Sequence, residues 1–243
     1  PEEWNGSNIN QTVWAFFFSQ NKKEPGLVTS DANDNHVVLT NKFVGVGNIG
    51  SNAPAYITFG TPWVYAVSTI ANCDGGTYGG TPFKGKPDAI KGTYKRTASE
   101  TENAYVIAYL WTGTFTSNVK CSVSGNQSTM PLNDVDKAVL GKTESTGDGQ
   151  LIASCETSFE TTENNDWETI EVPLDYKVDA VPEKMNVIIS GADYWTRGNI
   201  QAENVLEVKD VSFVYYHSIS SCKYNGQNVT FNEKNETVVN DVY

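Results

Sequence analysis

Gly75-Gly76-Thr77-Tyr78-Gly79-Gly80-Thr81-Pro82-Phe83-Lys84-Gly85-Lys86-Pro87-Asp88-Ala89-Ile90-Lys91-Gly92-Thr93-Tyr94-Lys95 packs six glycines and two prolines into a run that ends in a strand pattern. Glycine reaches backbone conformations that other residues resist, and proline fixes its own, so the first half reads as a tight crossing between elements. From Ala89 to Arg96 the side chains alternate at period two, as in a half-buried strand. No reactive group sits in the run. The stretch therefore reads as architecture, a sheet-to-sheet crossing that positions the flanking aromatics Trp63 and Tyr78.

Outward from it, short strands follow one another. Ala104 to Phe115, with Tyr105, Ile107, Tyr109 and Trp111, is the strongest strand signal, dominated by aromatic and β-branched residues. His36–Thr40, Tyr56–Gly60, Leu151–Phe159, Glu168–Leu174, Met185–Ser190 and Val205–Tyr216 are further strands, separated by Gly, Asn, Asp or Pro. The apolar run Trp14–Phe18 reads as one more buried strand. Residues 44–52 read as loop, and the polar segment from Ser117 to Asp148 as turns around one short helix, Asn133–Leu140, capped by Asn133 with Asp134 and Asp136 in its first turn. Eight to ten short strands with almost no helix predict an all-β fold, a jelly-roll β-sandwich over residues 1–216. Residues 217–243 carry a strand, an Asn225-Gly226 turn and a second strand, a hairpin read as the opening of another β module, with an edge ribbon on the first as the alternative.

The bulk numbers narrow the function classes. A chain of 243 residues with 39% hydrophobic residues and a mean hydropathy of -0.40 can build a sizeable core, and it holds no apolar run near the ~20 residues that span a bilayer. Beginning at Pro1, it reads as a mature or trimmed chain. A net charge of -12 repels nucleic acid and anionic membrane, whereas an uncharged polysaccharide pays no such penalty and a divalent cation is attracted. Cys73, Cys121, Cys155 and Cys222 form no CxxC pair, which disfavours zinc. Free thiols fit the apolar neighbourhoods of Cys121 and Cys155, while two disulfides with three possible pairings stay open. The five Asn-x-Ser/Thr triplets are expected by chance in Asn- and Thr-rich loops.

The residues Phe83-Lys84-Gly85-Lys86-Pro87-Asp88-Ala89-Ile90-Lys91-Gly92-Thr93-Tyr94-Lys95 resemble the "F-x-G-x-P-x-x-L-x-G-x-Y-K" signature of a carbohydrate-metabolism domain family from surface lipoproteins of gut Bacteroidetes. Leu206 to Tyr215 is similar to that family's closing strand, with Lys209 in place of an acidic residue, and Asp166 to Leu174 is similar to the "W-x-x-x-x-I-P-L" strand before it. The resemblance implies a jelly roll of the carbohydrate-binding-module or galactose-binding kind. It also implies export to the cell surface, outer-membrane association through a lipid anchor not present in this chain, and a part in glycan use. It supplies no catalytic residues.

Saccharide recognition needs flat apolar faces beside planar polar groups. Trp195, in the polar loop Asp193-Tyr194-Trp195-Thr196-Arg197, is the leading candidate, with Asp193 and Arg197 as hydroxyl partners; Trp63 and Tyr78 could wall a groove with Asp74 beside them. A structural calcium at Asp210 with Asp31 or Asp34 is a further expectation, since oxygen ligands tie strand ends in such folds. His36 and His217 are the only histidines, and there is no G-x-S-x-G elbow, HExxH or phosphate loop. The sequence thus favours a non-catalytic module that binds or presents glycan. A glycoside hydrolase with an acid pair in the same groove is the second reading, and a structural spacer or adhesin the third.

Overall fold

The computed structural model describes residues 5–6, 28–31, 36–46, 49–65, 74–97, 102–123, 126–196, 200–216, 222–224 and 227–229. Eight principal strands form the frame: β1 His36–Thr40, β2 Tyr56–Thr58, β3 Ala89–Thr97, β4 Ala104–Thr112, β5 Gln150–Phe159, β6 Glu168–Pro173, β7 Lys184–Ser190 and β8 Val205–Val214. One sheet runs β6-β3-β8-β1 and adds Val28–Asp31 outside β1; the other contains β2-β7-β4-β5, edged by the short strands Asn5–Gly6 and Asp175–Tyr176. Every pairing is antiparallel. The first, eighth, third and sixth strands lie in one layer and the second, seventh, fourth and fifth in the other, which is the strand order of a double Greek-key jelly roll. The expected all-β sandwich is the fold observed.

Period-two alternation explains the core between the layers. Ile90 and Tyr94 of β3, Leu206 and Val208 of β8 and Leu39 of β1 point inward from one sheet, and meet Val106, Ala108 and Leu110 of β4, Ile152 of β5 and Val187 and Ile189 of β7. Complete burial of each large apolar side chain is worth roughly 1.5–3 kcal/mol.

The glycine-rich run is the crossing that its composition implies. Thr81–Pro82 pairs with Lys184 and Met185 of β7 in one sheet, and from Ala89 the chain belongs to β3 in the other. Gly80 is obligatory at the start: a Cβ there would stand 2.3 Å from the Met185 carbonyl oxygen and 2.6 Å from the Trp111 ring. Phe83, inside the crossing, packs against Phe213 of β8 at 5.1 Å between ring centroids.

Strand β4 is buried on both faces. Val106, Ala108 and Leu110 enter the sandwich core, and Ile107, Tyr109 and Trp111 point to the outer face of the same sheet, yet all six have no exposed surface. A roof covers that outer face. It consists of the hairpin Thr61–Tyr65 with Asp74–Tyr78, the hairpin Phe115–Val123 with Asn126–Asn133, the short helix α1 Asp136–Val139, and the loop from Gly191 to Thr196.

Three local expectations differ from the structure. Residues 44–52 belong to a hairpin, Lys42–Val46 paired with Ile49–Ala53. Most of the segment read as turns is the long ribbon Phe115–Val123 with Asn126–Asn133, whose polar side chains suit a ribbon with one face in solvent. Helix α1 starts later than expected, with Val135 at its N-cap and no side-chain cap, because Asn133 is still paired to Thr116 and Asp134 turns the chain at φ 54°. The expected strand at Trp14–Phe18 lies outside the described residues. The C-terminal hairpin, Cys222–Tyr224 with Gln227–Val229, is present as a two-stranded sheet of its own. Cys121 and Cys155 are free thiols; Cys73 lies outside the described residues.

Candidate functional site

The loop that carries Trp195 leaves β7 on a rigid base. Gly191 donates its N–H to the Ala55 carbonyl at 2.9 Å, and its own carbonyl accepts from Asn41 Nδ2 at 3.0 Å and from Arg96 Nη2 at 2.9 Å. Arg96 is fully buried on β3 and also donates to the carbonyls of Glu102 and Glu160. Burial lowers its guanidinium to about 10 against the opposing pull of Glu102 and Glu160. The Glu102 carboxyl accepts from Asn41 and from Asn204 Nδ2 at 2.9 Å, and burial outweighs these donors and pushes it above its ordinary value. This network ties β1, β3 and the base of the loop together at one end of the sandwich, with Arg96 Nε buried without a partner among the described residues, so the loop above it starts from fixed backbone.

Within the loop, Asp193 is a shaping residue. Its Oδ1 accepts the backbone N–H of Trp195 at 3.0 Å and of Thr196 at 3.1 Å, an Asx-type turn. The turn presents Trp195 half-buried at the edge of the roofed cluster. Its indole meets Tyr194 edge-on at 4.9 Å, donates Nε1–H to Glu156 Oε1 at 2.9 Å, and lies 4.5 Å from the Lys142 ammonium. Lys142 and Glu156 approach to 3.6 Å and remain 42% and 36% exposed. Tyr105, half-buried on β4, packs on the same cluster, and burial together with the charges of Asp193 and Glu156 raises its hydroxyl. Directly opposite it on β5 is Ser158, which accepts from Asn103 Nδ2 at 3.1 Å. The result is a ledge of two half-exposed aromatics edged by two carboxylates, an ammonium, a hydroxyl and an amide.

Trp63 and Tyr78 do come together, but in the roof. They lie on one face of their hairpin, where Trp63 pairs with Gly76, and both pack on Val119, Val135 and Ala138. The Trp63 Nε1–H is buried without a hydrogen-bond partner among the described residues. Asp74 accepts from the Gly75 N–H at 2.8 Å and from Lys137 Nζ at 2.9 Å. Phe115 belongs to both clusters, so the Trp63 and Trp195 groups share a wall while their indoles sit in separate packings.

Between them lies Asp136, which has no exposed surface. Its carboxyl accepts from Tyr194 Oη, from the Thr77 N–H and from its neighbour's Lys137 N–H; desolvation still dominates and raises it. A second polar layer stands below, with Asn186 donating to Tyr109 Oη at 2.8 Å while accepting from Thr58 Oγ1 at 2.7 Å.

The remaining expected residues fall elsewhere. Arg197 and Asp34 lie outside the described residues. Asp210 is an exposed residue of β8 with φ 53°, where the β3–β8 register shifts, and Asp31 ends the edge strand opposite His36. Among the described residues no group of three or more His, Cys, Asp or Glu side chains is placed to hold a metal ion. Glu156, Tyr105 and Lys142 were not singled out from the sequence. The usable signal was the outward period-two position of Tyr105 and Glu156 on neighbouring strong strands.

No family model matches the chain, and no curated protein does. Two solved structures are similar to it. A crystal structure described as "a putative glycoside hydrolase" from Bacteroides thetaiotaomicron superposes with a TM-score of 0.51 at 12% identity, over 88% of this chain. The match spans 63% of that protein's length. A second structure described in the same words, from Bacteroides vulgatus, matches at a TM-score of 0.44 and 12% identity over 77% of this chain and 76% of its own. The likeness to the first establishes the fold: this chain is an all-β sandwich of the same architecture.

Proposed function

We propose that the protein is a carbohydrate-binding module that holds glycan on the Trp195 ledge and carries out no reaction of its own. The observation that supports it most is the placement of Trp195. An indole at the rim of a rigid sheet, with Tyr105 beside it and Glu156, Asp193, Lys142 and Ser158 around it, offers the C–H packing surface and the hydroxyl partners that a sugar ring needs. Trp63 and Tyr78 serve this reading as the packed support behind the ledge. The description of the similar Bacteroides structure as a glycoside hydrolase adds weight to a carbohydrate ligand.

Among the described residues, the two carboxyls that burial raises do not lie open on the ledge. A glycosidase needs a general acid held above its ordinary range and open to substrate. Glu102 and Asp136, which burial raises, are 5% and 0% exposed and already bound by protein donors. In the same reading the chain works outside the cell, at a bacterial outer membrane.

Glycan-array binding of the wild type, followed by titration of the best ligand against Trp195→Ala and Glu156→Gln, tests the proposal. We expect Trp195→Ala to weaken binding at least about tenfold and, because the indole packs on Tyr194, to lower the thermal midpoint while staying folded at the assay temperature. Unaltered affinity in both variants rejects the site, and release of reducing sugar from a bound polysaccharide rejects the non-catalytic reading.

A further inference from the structure

The opposite side of the sandwich carries an aromatic–cation group that the ledge does not use. We infer that the outer face of the β6-β3-β8-β1 sheet around Trp167 is a second binding surface, for polysaccharide that bears carboxylates, that is, uronic acid units.

Trp167 stands just before the edge strand β6. Asn164 and Asn165, both at φ 54°, turn the chain there, and Asp166 Oδ1 accepts the Trp167 N–H at 2.7 Å. The indole comes to lie with the Lys209 ammonium 4.0 Å and the Lys95 ammonium 5.9 Å from its ring centroid, and with the His36 ring edge-on at 5.5 Å. These residues come from three neighbouring strands, β8, β3 and β1. Lys95 is paired with Glu207 at 3.0 Å, and the other Glu207 oxygen meets His36 Nε2 at 2.9 Å. Lys209 has no carboxylate within ion-pair distance among the described residues, so its charge is the one not neutralised there. In the same cross-strand row as Lys209, Thr93 and Thr169 place their hydroxyls 3.3 Å apart.

This chemistry selects a ligand class. In a chain with 29 acidic and 17 basic residues, two lysines gathered on one indole run against the overall charge and point to an anionic group. The ring beside them offers a surface for the C–H face of a sugar, and the threonine row offers hydroxyl contacts. A uronic acid presents both an apolar ring face and a carboxylate. Polymers of higher charge density, nucleic acid included, face the repulsion of a net charge of -12. The surface uses none of the ledge residues, so the two proposals stand or fall separately.

Native affinity electrophoresis in gels containing polygalacturonate, a neutral galactan or single-stranded DNA, with the intact chain, tests the inference. Polygalacturonate should retard the wild type at low salt. Lys209→Gln and Trp167→Ala should each weaken that retardation about tenfold, and Trp195→Ala should leave it unchanged. Lys209→Gln replaces a surface side chain and keeps the fold, which a melting curve checks. Absence of retardation by polygalacturonate, equal retardation of Lys209→Gln and wild type, or equal retardation by DNA overturns the inference. Loss of neutral-glycan binding in Trp195→Ala bears only on the ledge.

Discussion

Tyr194 donates its hydroxyl to Asp136 Oδ2 at 2.6 Å, and through that carboxyl a loop, a helix and the glycine-rich hairpin are fastened at one point. Asp136 also accepts the Thr77 N–H at 3.1 Å and the Lys137 N–H at 2.6 Å. Asp136→Ala leaves the Thr77 N–H and the Tyr194 hydroxyl buried without this acceptor, each at about 1–3 kcal/mol. Tyr194→Phe removes one donor and leaves no orphan behind, so it should cost about 1 kcal/mol. Urea unfolding of both variants and of the double variant checks this. A double variant no worse than Asp136→Ala is expected, because the Tyr194 loss is already contained in it.

The same carboxyl gives stability a pH signature. Burial raises Asp136 above its usual 3.8, so the folded protein holds a proton there more tightly than the unfolded chain does. A raised acid contributes stability that is complete below the unfolded value and is lost as the pH climbs through the folded value. Glu102, raised from 4.5 by burial, acts in the same direction. In a series of melts from pH 4 upward, the stability of wild type relative to Asp136→Asn should therefore decrease as the pH rises. A difference that grows with pH would contradict the assignment.

Gly76 is where the hairpin yields to this carboxyl. A Cβ at Gly76 would stand 2.6 and 3.0 Å from the two Asp136 oxygens, at a φ of +151° that side chains rarely adopt. Gly79, at φ +68°, has open space where its Cβ would go, so Gly79→Ala carries only backbone strain of about 1–2 kcal/mol. Gly76→Ala should cost more than Gly79→Ala, and its excess should shrink in an Asp136→Ala background where the clash is gone. Chemical denaturation of the wild type, the three single variants and the two double variants with Asp136→Ala measures both statements.

What the sequence yields and what it hides follow from interaction range. Strand β4 was legible because its side chains repeat every two residues, and the crossing because Gly80 lets the backbone approach β7 closely while Pro82 fixes its own φ. The ribbon Phe115–Val123 with Asn126–Asn133 was not: polar residues such as Asn118, Lys120 and Ser128 carry no apolar period, and its pairing is set across the turn. Asp136 looked like a helix-dipole acid near an N-terminus. Only the contact with Tyr194, 58 residues away, makes it the joint of the roof. Trp195 could be chosen because its loop is polar, whereas Glu156, 39 residues earlier, became its partner through the fold alone.

The two described thiols should separate by reactivity. Cys155 faces the sandwich core from β5, 8% exposed, and burial raises its thiol to about 12, which leaves almost no thiolate at neutral pH. Cys121 is half-buried on the ribbon with Sγ 3.1 Å from the Ser128 hydroxyl. Iodoacetamide labelling of the folded protein at pH 8, read by peptide-resolved mass spectrometry, should modify Cys121 and spare Cys155, and unfolding in urea should make both react. Labelling of Cys155 at the rate of Cys121 in the native protein would mean that the core opens locally at β5. In that case Cys155→Ala, which removes a small apolar side chain from a packed site, should cost well under the about 2–5 kcal/mol of a large core truncation.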